Sequence, residues 1–173
     1  METSATPVIA LRPVTPDDDA LLLAIYRGTR EGELALAGWD EPTCAAFVHQ
    51  QFEAQRTHYQ AHWPDARHDL VLCRGTHGTE VAGRLWVDRR PDTIHVLDIA
   101  LLPAWRGRGI GETCLRRLIE EARASGRAVS IHVEQGNPAR NLYERLGFQP
   151  EGEPRGIHQF MAWRAEEMSD EEA

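Results

Sequence analysis

The chain has 173 residues, 42% of them apolar and 27% charged, with a formal net charge of −8 at pH 7. That length and balance describe one soluble globular domain able to bury a core. They exclude a membrane-spanning chain, since no apolar run reaches the roughly 18 residues a spanning helix needs. The acidic balance also speaks against nucleic acid as a partner, because neutralising phosphates takes clustered Lys and Arg.

In chain order, Met1–Pro7 reads as a loose lead-in, and Val8–Arg12 as a first strand. Thr15 has the chemistry of an N-cap, followed by Pro16 and three aspartates suited to the positive end of a helix running to about Arg27. Gly28–Glu41 reads as a loop, and Pro42-Thr43 opens a second helix to about His62. Three strands follow, His68–Arg74, Thr79–Arg89 and Thr93–Leu102, joined by short turns at Gly75–Gly78 and Arg90–Asp92. Glu112–Ser125 is an amphipathic helix with Leu115, Leu118, Ile119 and Ala122 at helical spacing. Ala128–Glu134 is a strand, Pro138–Leu146 a short helix, and strands near Phe148–Glu153 and Ile157–Trp163 close the fold. A meander feeding a strand–helix–strand crossover predicts an α/β class with a mixed sheet. The run Glu166–Ala173 reads as a solvated acidic tail. The N-terminus has neither a basic region nor a signal-like core, so cytoplasm is the expected location.

The most informative stretch is Arg106-Gly107-Arg108-Gly109-Ile110-Gly111, set between an apolar strand and an amphipathic helix. A glycine turn at a helix N-terminus presents bare backbone N–H groups to an anion, with no Cβ in the way. It is not a Walker loop, which ends in Gly-Lys-Ser/Thr. Nor is it a Rossmann fingerprint: counted from Gly107, the third glycine position holds Glu112.

Here the chain resembles the GNAT acetyltransferase superfamily, on Leu101-Leu102-Pro103-Ala104-Trp105-Arg106-Gly107-Arg108-Gly109-Ile110-Gly111 and on Asn137-Pro138-Ala139-Arg140-Asn141-Leu142-Tyr143-Glu144-Arg145-Leu146-Gly147-Phe148. The two blocks fall in the family's order, and the element order of residues 8–163 agrees. The resemblance implies a single domain over 8–164 with loose termini at 1–7 and 165–173. It implies a mostly antiparallel sheet of six to seven strands splayed near its centre, with about four helices on its two faces. It implies acetyl-CoA as acyl donor and an amine, small-molecule or peptide, as acceptor, with a homodimer as the family habit.

On the same resemblance, the amides of Arg106, Gly107, Arg108, Gly109, Ile110 and Gly111 would hold the pyrophosphate. The pantetheine arm would run along Ile99, Ala100 and Leu101, with Asn137 as a further contact. Tyr143 stands where the family places the acid that protonates the leaving thiolate. The family more often separates this Asn and Tyr by seven residues; here Asn137 and Tyr143 are six apart. His95, eleven residues before Arg106, is where several members carry the base, and His132 with Glu134 on the next strand is the rival. The stretch Arg30–Leu36 is where the family shapes its acceptor pocket.

Other candidates read as structural. Cys44, Cys73 and Cys114 are odd in number and widely spaced, which fits small buried residues better than a disulfide or zinc framework. His58 and His62 lie one turn apart, but Tyr59 and Trp63 beside them suggest a partly buried helix face rather than a metal site. No metal is expected. The class alternative to an enzyme is a GNAT-like acyl-CoA-binding module that has lost turnover.

Overall fold

The computed structural model describes residues 6–166. Met1–Ala5 and Glu167–Ala173, most of the expected loose termini and acidic tail, lie outside the described residues. The strands are β1 (Ile9–Pro13), β2 (Arg67–Gly75), β3 (Gly78–Arg89), β4 (Thr93–Leu101), β5 (Ala128–Glu134), β6 (Gln149–Pro150) and β7 (His158–Trp163). The helices are α1 (Asp19–Ala37), α2 (Glu41–His62), α3 (Ile110–Ser125) and α4 (Arg140–Arg145). The strands form one seven-stranded sheet in the order β1-β2-β3-β4-β5-β7-β6. Pairing is antiparallel for β1–β2, β2–β3, β5–β7 and β6–β7, and parallel for β4–β5. This is the mixed, mostly antiparallel α/β architecture that the sequence predicts.

The chain forms two compact units. Among the described residues, the first comprises residues 6–88 and 97–114, the second 89–96 and 115–166. In the first, α1 and α2 bury Leu22, Ile25, Tyr26, Val48 and Phe52 with Leu70 of β2 and Ala100 of β4. The second buries Leu115, Leu118 and Ala122 of α3 together with Val129, Ile131 and Val133 of β5 and Met161 of β7. These are the positions that helical and strand periodicity pick out.

Three local starts follow capping chemistry. The Asp18 carboxylate accepts from Thr15 N at 2.8 Å and from Arg12 at 2.9 and 3.0 Å, which holds it well below the usual carboxylate range. Asp40 caps α2 by accepting from Thr43 N at 3.0 Å. The α3 ladder reaches back into the glycine turn through Thr113 N to Gly109 O at 3.0 Å.

Two sequence expectations are corrected. α1 does not stop near Arg27 but continues to Ala37, so Gly28–Ala37 is helix rather than loop, and Arg30–Leu36 is a helical face. Gly28 is a packing position there: a Cβ on it would lie 3.3 Å from Pro103 Cδ and 3.4 Å from Arg106 Nη2. Beyond it, Arg30 holds the helix together, donating to Tyr26 Oη at 3.1 Å and pairing with Glu33 at 2.8 Å. The expected strand Phe148–Glu153 is reduced to the two residues of β6.

Candidate active site

In the first unit, the glycine turn joins β4 to α3. Gly107 and Gly109 take φ of +70° and +76°, the left-handed region that side chains with a Cβ avoid. Nothing lies within 4 Å of a Cβ built on Gly107, so its backbone faces open space. Because Thr113 N makes the first bond back into the turn, the amides of Ile110, Gly111 and Glu112 precede the ladder, as the first turn of any helix requires. α3 is 16 residues long, so the positive end of its dipole adds to these donors.

The arginines of the turn have structural work. Arg106 donates from Nε to Leu101 O at 3.1 Å and from Nη2 to Gly28 O at 2.8 Å, which ties the turn to the end of β4 and to α1. Arg108 lies over the Trp105 ring, its Cζ 4.9 Å from the centroid. Ile99 and Leu101 are half-buried and Ala100 is buried.

In the second unit, the parallel register sets His95 of β4 opposite Ser130 of β5, and the buried His95 meets Ser130 Oγ through Nδ1 at 2.7 Å. His132, two residues along β5, packs its ring edge-on against His95 with centroids 5.3 Å apart. Burial, followed by the nearby His158 and Arg155, lowers the pKa of His132, so its imidazole is neutral near pH 7 and able to accept a proton. Glu134, the third member of the sequence-predicted group, sits 3.7 Å from His158 Nε2. His95, His132 and Glu134 therefore line one side of one sheet segment, as strand alternation requires.

His132 also lines a cavity of about 320 Å³, with Glu151, Gly152, Glu153, Arg155, His158 and Phe160. Sequence reasoning did not single out the residues after Gln149. The available signal was the loop chemistry of Gly152, Pro154 and Gly156 between two short apolar runs.

Tyr143 is buried on α4, with Phe148 5.9 Å from its ring. Its carbonyl accepts from Phe148 N at 3.0 Å, which locks the residue at the helix end. Asn137 Oδ1 accepts from Ala139 N at 2.9 Å, and its carbonyl accepts from Arg140 N at 3.0 Å. That is a local turn preceding α4, a structural role beside the expected ligand contact.

The remaining candidates stay in the fabric of the fold. Cys44, Cys73 and Cys114 are buried thiols without a disulfide. His62 Nδ1 contacts His58 O at 2.9 Å, and both rings pack with Trp63. Among the described residues no group of three or more His, Cys, Asp or Glu could hold a metal ion, and no helix is long and apolar enough to cross a membrane.

The profile of the acetyltransferase (GNAT) family matches residues 34–148, more than half of the chain. A Bacillus subtilis chain named for ribosomal protein bS18-alanine N-acetyltransferase activity is 29% identical over 123 residues, covering 69% of this chain and 73% of that protein. A mycothiol acetyltransferase of Corynebacterium glutamicum is 40% identical over 74 residues. That match spans 41% of this chain and only a quarter (25%) of the relative's length. Among solved structures, a PaiA N-acetyltransferase of Thermoplasma acidophilum in complex with coenzyme A aligns over 91% of this chain and 99% of its own, with a TM-score of 0.65 at 16% identity. An acetyltransferase of Thermus thermophilus aligns over 92% of this chain and 99% of its own, with a TM-score of 0.63 at 20% identity. At such identities the likeness to these structures is one of fold.

Proposed function

This chain belongs to the acetyltransferase (GNAT) family, and on that premise we propose that it moves an acetyl group from acetyl-CoA directly to a primary amine on a small molecule, a peptide or a protein terminus. The observation that carries the donor is the glycine turn, with Gly107 and Gly109 at φ +70° and +76° ahead of a 16-residue helix. Backbone donors without side chains, at the positive end of a helix, are suited to a pyrophosphate.

The donor supplies the thioester, whose carbonyl carbon is attacked and whose C–S bond breaks. The chain's own groups manage the protons. An attacking amine must be neutral, and the His95–His132 pair offers a base: His132 is uncharged near pH 7, and Ser130 fixes the orientation of the His95 ring. A proton taken there can leave through the cavity that His132 lines. Tyr143 serves as the acid, giving its phenolic proton to the thiolate as the C–S bond breaks. Residues 8–164 would act as one catalytic domain. No cysteine enters this scheme as an acyl carrier, since all three are buried.

A thermal melt with and without acetyl-CoA tests the donor, with ATP and NADH as controls. At a hundredfold excess over Kd a native-state ligand adds about 2.7 kcal/mol, a shift on the order of 5–10 °C for a chain of this size. A shift with acetyl-CoA alone, followed by thiol release with a panel of amines, supports the transferase. A shift without turnover on any amine favours the non-catalytic binding module. No shift removes the donor assignment.

A further inference from the structure

Arg84 is an anomaly in a β3 position that faces the core. Its register partner across β2 is Leu70, a member of the apolar cluster, and Arg84 itself is 1% exposed. Its Nε donates to Asp98 Oδ2 of β4 at 2.6 Å, and its Nη2 to Gln55 Oε1 of α2 at 2.6 Å. Its Nη1 is buried without a hydrogen-bond partner. One turn along α2 from Gln55, Tyr59 donates its hydroxyl to Leu97 O at 3.1 Å. Burial, then the charge of Asp98, pushes the Tyr59 phenol up to about 12, so it remains a donor at any physiological pH.

Stability does not account for this arrangement. Arg84 is buried and Asp98 half-buried, so desolvation offsets much of their attraction, and a buried N–H without a partner is a further penalty. What the fork does supply is position. The parallel ladder registers Thr93 to Val96 of β4 on β5. The next two residues, Leu97 and Asp98, lie past that ladder and receive side-chain bonds from Tyr59 and Arg84. β3, the neighbour of β4 in the sheet, also meets the end of the strand. Leu102 N donates to Ala82 O at 2.8 Å, and a Cβ on Gly83 would lie 2.1 Å from Ala100 O. Ala82 by its backbone, Gly83 by its lack of a Cβ and Arg84 by its side chain thus each meet β4, at Leu102, Ala100 and Asp98.

We propose that Arg84 is a positioning residue for the acyl donor, holding Leu97 and Asp98 against α2 so that Ile99–Leu101 lies ready to receive the donor's arm. The proposal rests on the reading that this stretch of β4 carries acetyl-CoA. A guanidinium suits the task because its planar fork fixes direction, which a lysine's ammonium does not.

The test measures affinity by calorimetry for two ligands, acetyl-CoA and 3′-phospho-ADP, the second having the nucleotide end but no arm. The double variant Arg84→Met/Asp98→Leu removes the charges while keeping volume. It is expected to melt within a few degrees of the parent, to bind acetyl-CoA at least tenfold more weakly, and to bind 3′-phospho-ADP unchanged, because the glycine turn is untouched. Arg84→Lys is expected to leave acetyl-CoA binding impaired. An unaltered acetyl-CoA affinity in a folded double variant overturns the proposal, as does an equal loss for both ligands. If the double variant does not fold, Tyr59→Phe and Gln55→Leu decide: weaker acetyl-CoA binding in these supports the proposal, and unaltered binding overturns it. Failure of the parent to bind acetyl-CoA overturns the donor reading and this proposal together, whereas binding by the parent with no change in the variants overturns this proposal alone.

Discussion

Tyr143 has a place in the fold and a proposed place in the chemistry. Its backbone closes the end of α4 and its ring packs near Phe148, while the proposed mechanism uses only its hydroxyl. Tyr143→Phe separates the two. The ring and the backbone bonds persist, so acetyl-CoA affinity should stay close to the parent's. Turnover should fall at least about tenfold, the low end of what a positioned general acid contributes. Steady-state kinetics with the best amine from the panel checks it, and an unchanged kcat removes Tyr143 from the mechanism. The resemblance placed Tyr143 and His95 in the sequence. The partner of His95 could not be read there: Ser130 lies 35 residues from it in the chain, and only the β4–β5 register makes them neighbours.

At the scale of elements, local pattern worked where a single signal dominated. β5 has the bounds that its alternation gives, Ala128–Glu134, and the glycine turn leads into α3 as expected. It failed at α1, where Gly28 and Gly32 look like helix breakers. Glycine lowers helix propensity by only about 1 kcal/mol, and packing of Gly28 against Pro103 and Arg106 overrides it. Gly32 is helical, and a Cβ added there would meet nothing within 4 Å, so Gly32→Ala should stabilise by roughly 0.4–1 kcal/mol and raise Tm slightly. Gly83 lies at the other extreme. Its missing Cβ is what lets β3 meet Ala100 O, so Gly83→Ala forces backbone apart and should cost about 3 kcal/mol, the upper end of what overpacking usually costs, a fall on the order of 10 °C. Parallel melts of the two variants check both, and a mild Gly83→Ala would show that β3 and β4 can separate without harm.

For the whole molecule, acid sensitivity follows from a half-buried imidazole. His68 stacks on Trp86 with centroids 4.0 Å apart and planes 2° from parallel. Burial, then the nearby Arg84, lowers its pKa to about 4. An unfolded histidine titrates near 6.5, so below that pH the unfolded chain takes up a proton that the folded chain refuses. The stabilisation is full above pH 6.5 and is lost as pH falls toward 4. Urea midpoints should therefore decline between pH 7 and pH 5, and the decline should be shallower in His68→Phe. Equal slopes would assign the acid loss elsewhere, His132 being next in line because its pKa is lowered too.

By itself the sequence determined the class of fold, the glycine turn and the family, because each is written in contiguous residues: alternation for strands, helical spacing for α3, and Arg106–Gly111 for the turn. The tertiary structure alone decided that α1 runs through its glycines, that His95 meets Ser130 and His132, that the β6–β7 loop lines a cavity with His132, and that a core-facing arginine bonds Asp98 of β4. The physical reason is common to all four. Each depends on groups far apart in the chain whose approach is set by strand register and core packing, and neither is encoded in any local run of residues.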